Sequence, residues 1–201
     1  MKTIGLIGGV ASGKSLVAQM FVELGAGLLD ADRAGHAVLA HDPIVREPLL
    51  AHFGPAILAN DGTFDRSAIA NLVFGDSEAA TANLQFLESI LHPRIGQMLA
   101  DRQAAFAAAG QIAVILDAPL LLEANWRPLC DLVVFVDADR DIRLTRALSR
   151  GWTAEEFDRR EAAQWPVERK RAAADAIILN NGDVDTLRKS VCDVWHKYVA
   201  S

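Results

Sequence analysis

The stretch Gly8-Gly9-Val10-Ala11-Ser12-Gly13-Lys14-Ser15 decides how this chain is read. It fits the pattern G-x-x-x-x-G-K-[ST] and follows an apolar run, Ile4-Gly5-Leu6-Ile7, that predicts a buried strand. Glycines at this spacing let the backbone wrap so that successive N–H groups point inward and cradle a phosphate chain. Residues 16–24 have helical spacing, which puts the loop at a helix N-terminus, where the dipole favours anions. In this arrangement the segment from Gly8 to Leu16 holds phosphates, Lys14 reaches the β- and γ-phosphates, and the Ser15 hydroxyl binds Mg²⁺. Strand, glycine loop, Lys-Ser and helix in this order predict a nucleoside triphosphate site.

Outward from the loop, five short apolar runs predict buried parallel strands at 3–7, 27–30, 112–116, 132–136 and 176–179. Helical patterns separate them, so the expected class is α/β with a five-stranded parallel sheet between helical layers. Asp30, Asp117 and Asp137 end or follow three of these runs, where the ligand crevice of an open α/β sheet lies. Residues 31–110 are too many for one crossover and read as a mainly helical lobe inserted after the second strand. Within it, Asn60-Asp61-Gly62-Thr63 predicts a tight turn, and 66–74 and 78–91 predict helices. His92-Pro93 is expected to end the second of these, because the residue before proline is pushed away from helical geometry. One domain is expected over 1–201: a core of about 1–30 and 111–201, the lobe of about 31–110, and an arginine-rich lid of about 140–171.

Composition narrows the classes. Of 201 residues 51% are hydrophobic, enough for a sizeable core, and the net charge of −6 argues against a surface devoted to nucleic acid or acidic membranes. Cys130 and Cys192 are far apart and fit neither a zinc site nor a disulfide framework. The first strand begins within three residues of Met1, leaving no room for a signal peptide, and no apolar run approaches the ~18 residues of a membrane span. The expectation is a soluble, cytoplasmic protein of unspecified oligomeric state.

The second half carries most of the arginine. Arg140, Arg143, Arg146 and Arg150 recur at three- and four-residue spacing on one helix face, and Arg159, Arg160, Arg169, Lys170 and Arg171 follow. Beside a phosphate loop this cluster reads as a phosphate clamp, although Glu155, Glu156, Asp158 and Glu161 offer each arginine an ordinary partner. The chain has no separate effector domain and lacks an N-K-x-D guanine-reading sequence. It does carry Asp30-Ala31-Asp32 after its second strand. There Asp30 suits a helix cap, and Asp32 is the candidate oxygen acceptor for a hydroxyl undergoing phosphorylation. These features point to a small-molecule kinase. A kinase for another hydroxyl compound or nucleotide, or a non-catalytic nucleotide switch, stays open on the residues alone.

The chain resembles the dephospho-coenzyme A kinase family of P-loop kinases nearly end to end. The resemblance rests on Gly8 to Ser15, Asp30 to Asp32, Asp61-Gly62 with Arg66, Leu91 to Pro93, and Pro119 to Glu123. Arg160 with Gln164, Lys170 to Asp175, and Asn180 to Gly182 complete it. It implies transfer of the ATP γ-phosphate to the ribose 3′-hydroxyl of dephospho-CoA, with Mg²⁺ on Ser15 and Asp117 a candidate in its outer shell. It further implies Asp32 as the base and Lys14 on the nucleotide phosphates, and Arg146 and Arg160 are the candidates for the charge that neutralises the transferring phosphoryl group. Arg66, His92 and Leu120 are expected near dephospho-CoA, and Asn180 and Gly182 at the edge of the adenine site. Glu123 would balance a lid arginine or lie exposed. Ala11 departs from the family's middle loop glycine, and its methyl is expected to be tolerated through a negative φ. Leu179 stands where the family often has Asp.

Overall fold

The computed structural model describes residues 1–75 and 77–200. In chain order the strands are β1 (Lys2–Gly8), β2 (Gly27–Asp30), β3 (Ala113–Asp117), β4 (Leu132–Asp137) and β5 (Ala176–Leu179). The helices begin with α1 (Lys14–Glu23), α2 (Ala31–His41), α3 (Pro43–Phe53), α4 (Arg66–Val73) and α5 (Glu78–Ala108). They continue with α6 (Arg140–Ser149), α7 (Ala154–Ala162), α8 (Val167–Ala172) and α9 (Val184–Tyr198). Two compact units result, one of residues 1–30 with 103–201 and one of 31–102.

The first unit is built on one sheet in the order β2-β3-β1-β4-β5, parallel throughout. β1, β3 and β4 are buried almost end to end, because helices cover both faces and leave no solvent side for polar alternation. β5 departs from the expected buried run: it is an edge strand, and Ile177 and Leu179 are exposed while Ile178 is buried. α1 and α9 pack on the sheet through Val17, Phe21, Val191 and Trp195, with the Phe21 and Trp195 rings 6.3 Å apart. Burying such rings contributes a few kcal/mol each. The parallel register sets Leu6 beside Asp117 and Asp117 beside Asp30, so carboxylates collect at the ends of β2 and β3 next to the end of β1.

The second unit is helical around Val38, Val45, Leu49, Ile57, Ile69, Ile95 and Leu99. Asp42 caps α3 by accepting from the Ile44 N–H, and Asp65 caps α4 by accepting from Ser67 and Ala68. The expected turn at 60–63 forms, closed by Ala59 and Thr63 and flanked by a bridge between Leu58 and Phe64. The expected break at His92-Pro93 does not occur, for α5 runs straight through it with Pro93 inside. Proline removes one helical bond at a cost of about 3 kcal/mol. Burial of Ile95 and Leu99 just beyond it outweighs that local penalty. The helix ends instead before Gly110, which takes a φ of 80°.

Candidate active site

β1 delivers its last residue, Gly8, to a loop that turns into α1 at Lys14. Gly13 caps α1 with a φ of 97°, no side chain caps the helix, and its first turn holds no acidic residue. The helix start is thus arranged for an anion from outside. The turn is tightened by Ser12 N–H donating to the Gly9 carbonyl at 3.1 Å. Ala11 does not take the negative φ expected of it. Its φ is 57°, in the left-handed region that costs a residue with a Cβ about 1 kcal/mol.

The loop faces a cavity of about 370 Å³, lined by residues 11–16 together with Arg146, Arg150, Asn180, Gly182 and Val184. Asn180 is buried and braces the loop from behind: its Nδ2 donates to the Ser12 carbonyl at 2.7 Å, and its own N–H to the Asp137 carbonyl at 2.7 Å. Arg146 donates to the Ser12 carbonyl at 3.3 Å and the Asn180 carbonyl at 2.8 Å. Burial, and then the neighbouring Arg150 charge, pull the Arg146 guanidinium below its usual pKa range. Among the described residues neither Arg146 nor Arg150 pairs with a carboxylate. Two adjacent guanidiniums without a carboxylate partner, beside a helix N-terminus that no side chain caps, favour an anionic ligand.

The remaining arginines do not form one clamp. Arg140 pairs with Asp158, and Arg171 with Asp137. Arg160 is exposed, bonded to Glu156 at 2.8 Å and lying 4.0 Å over Trp152, and it does not line the loop cavity. Arg143 is buried; it donates to the Ala138 carbonyl at 3.0 Å and the Val10 carbonyl at 3.2 Å, and it pairs with Glu161. Lys170 is buried too, 3.0 Å from Glu123 Oε1 and 2.8 Å from Gln164 Oε1. Glu123 therefore neither balances an arginine nor lies exposed, and its Oε1 also accepts the Trp165 N–H. Sequence reasoning missed the tasks of Arg143 and Lys170. The signal available was that Glu123, Gln164 and Lys170 sit in three motifs of one family pattern.

The other expected site residues are placed as follows. Leu120 is exposed in the loop after β3, and Ser15 is exposed in the first turn of α1. In the second unit Asp32 is exposed in the first turn of α2, Arg66 opens α4 and is exposed, and His92 is half-buried in α5.

A family model described as dephospho-CoA kinase matches residues 2–186. A dephospho-CoA kinase of Rhodopirellula baltica is 42% identical over 188 residues, covering 94% of this chain and 87% of that protein. A Thermus thermophilus protein of known crystal structure superposes with a TM-score of 0.83 at 31% identity, covering 98% of both chains. The structure of a dephospho-CoA kinase from Campylobacter jejuni shares the fold at 21% identity and a TM-score of 0.64, over 100% of this chain and 98% of that one.

Proposed function

This chain belongs to the dephospho-CoA kinase family and is an ATP-dependent phosphotransferase, and we propose how its own residues divide the transfer to the 3′-hydroxyl of dephospho-CoA. The observation that carries the reading is the uncompensated pair Arg146 and Arg150 on the phosphate-loop cavity. Loop amides from Gly8 to Leu16 and the Lys14 ammonium hold the triphosphate, with Asn180 and Gly182 bordering the nucleotide. Arg146 meets the charge that spreads over the transferring phosphoryl group. Arg160 joins it only by leaving Glu156, so its part requires movement of α7 within the 140–171 lid. Electrostatic stabilisation of this kind dominates phosphoryl transfer, an arginine contributing ~10³-fold or more.

Asp32 accepts the proton of the 3′-hydroxyl as the oxygen attacks, and Arg66, His92 and Leu120 are assigned to dephospho-CoA binding. The oxygen-only set of Ser15 and Asp117 suits a hard cation, and no cluster of three His, Cys, Asp or Glu among the described residues would hold one alone. Magnesium arriving with ATP would sit on the Ser15 hydroxyl with Asp117 in its outer shell, where it would neutralise phosphate charge. No described helix is long and apolar enough to cross a membrane. The free thiols Cys130 and Cys192 suit a reducing compartment, and the cytoplasm is the proposed location. The test is ADP release from Mg-ATP with and without dephospho-CoA, the product identified by mass. Turnover that depends on dephospho-CoA, with one phosphate gained, is expected; ATP binding without acceptor-dependent turnover would overturn the proposal.

A further inference from the structure

Arg143 lies 4% exposed beneath the phosphate loop rather than on its ligand side. Its Nε donates to the Ala138 carbonyl at 3.0 Å, which anchors the guanidinium to the end of β4, while Nη1 reaches the Val10 carbonyl at 3.2 Å. Gly9 makes this approach possible, since a Cβ there would stand 2.8 Å from Nη1. In a trans peptide the carbonyl of one residue and the N–H of the next point in opposite directions within one plane. The Val10 carbonyl turned down onto Arg143 therefore turns the Ala11 N–H up, and Ala11 lines the loop cavity. Ala11 holds a φ of 57° there, a conformation that persists in a residue with a Cβ only where its surroundings impose it. Glu161 of α7 supplies the counter-charge to the buried guanidinium.

We propose that Arg143 is a positioning residue for nucleotide binding: by holding the Val10 carbonyl it aims the Ala11 N–H at the phosphates, with Glu161 balancing its charge. This rests on the phosphate-loop reading above. A merely structural arginine would affect thermal stability without selecting among ligands, and buried ion pairs are often replaceable by apolar side chains.

The experiment measures ATP affinity by calorimetry without acceptor. Arg143→Gln is expected to weaken ATP binding about tenfold through the lost orienting bond. The KM for dephospho-CoA should change by less than about twofold. Adding Ala11→Gly to that variant is expected to recover at least about a third of the lost factor, because glycine takes the required φ unaided. The same addition to Lys14→Ala should recover nothing. If Arg143→Gln does not fold, Arg143→Lys keeps the charge beside Glu161 but offers one nitrogen in place of the Nε and Nη1 that reach the two carbonyls, and it should show a loss of the same direction with the same glycine rescue. Unchanged ATP affinity in the folded variant, or no rescue by Ala11→Gly, overturns the inference while leaving the function intact. Failure of the unaltered protein to bind ATP would overturn the phosphate-loop reading, and this inference with it.

Discussion

Asn180 and Gly13 are matched in shape: a Cβ on Gly13 would stand 2.2 Å from Asn180 Nδ2, the atom that holds the Ser12 carbonyl. The carboxamide fills the space that the missing side chain leaves, so the loop is braced without a covalent link. Gly13 also sits at a φ of 97°, which alanine adopts only under strain. Gly13→Ala is therefore expected to weaken ATP binding by more than about 100-fold, since a clash and backbone strain add. Calorimetric titration with ATP checks this. Affinity within a few-fold of the unaltered protein would show that the loop does not need the approach of Asn180.

Asp32 lies in the first turn of α2, two residues beyond the end of β2. If it accepts the hydroxyl proton, Asp32→Asn removes the carboxylate acceptor at nearly constant side-chain size. Turnover is expected to fall about 10²–10⁴-fold with ATP affinity nearly unchanged. Steady-state kinetics with dephospho-CoA, set beside ATP titration, separate the two effects. Near-normal turnover would take the base role away from Asp32.

Lys170 and Glu123 form a pair that is difficult to break from one side. Lys170 is 1% exposed, and Glu123 Oε2 has no hydrogen-bond partner among the described residues. Lys170→Met strands the remaining carboxylate, a change that typically costs about 3–5 kcal/mol. For a chain of this size that corresponds to a Tm lower by roughly 10 °C. Adding Glu123→Met should recover most of the loss, because the uncompensated charge goes with it. Thermal melts of the three proteins decide the matter, and an unchanged Tm in Lys170→Met would show that the pair carries no stability.

Much of this molecule was legible because its signals are local. Glycine spacing, Lys14 and Ser15 announce the loop within eight residues, and uninterrupted apolar runs announce β1, β3 and β4 to within a residue. What stayed hidden depends on partners distant in sequence. Pro93 follows a rule that predicts a break, yet Ile95 and Leu99 gain enough from burial to carry α5 through it. Ala11 was expected at negative φ because a single residue says nothing of what holds its neighbours, and Arg143 lies 133 positions from the Val10 carbonyl it bonds. The arginine run likewise carries no mark that distinguishes exposed Arg160 from buried Arg143 or from Arg146 on the cavity.

The clearest pH response is expected from Asp42. The Arg94 Nε donates to its carboxylate at 2.6 Å and the Ile44 N–H at 2.9 Å, and these bonds, the arginine's first, hold its pKa below the ordinary value of about 3.9. A carboxyl whose pKa is lower folded than unfolded binds fewer protons in the folded state. Its stabilisation is complete above the unfolded value and is lost as the pH falls through the folded one. Asp61, bonded by the Thr63 hydroxyl and N–H, and Asp183, bonded by Thr186, are lowered as well and act with the same sign. The Tm should thus hold near neutrality and drop below about pH 4. Asp42→Asn keeps an oxygen for the Ile44 N–H but loses the charge facing Arg94. Its melting temperature should start lower at pH 7 and converge on that of the unaltered protein towards pH 3. Two curves that stay parallel through the acid range would show that the Arg94 pair contributes nothing to the acid sensitivity of the fold.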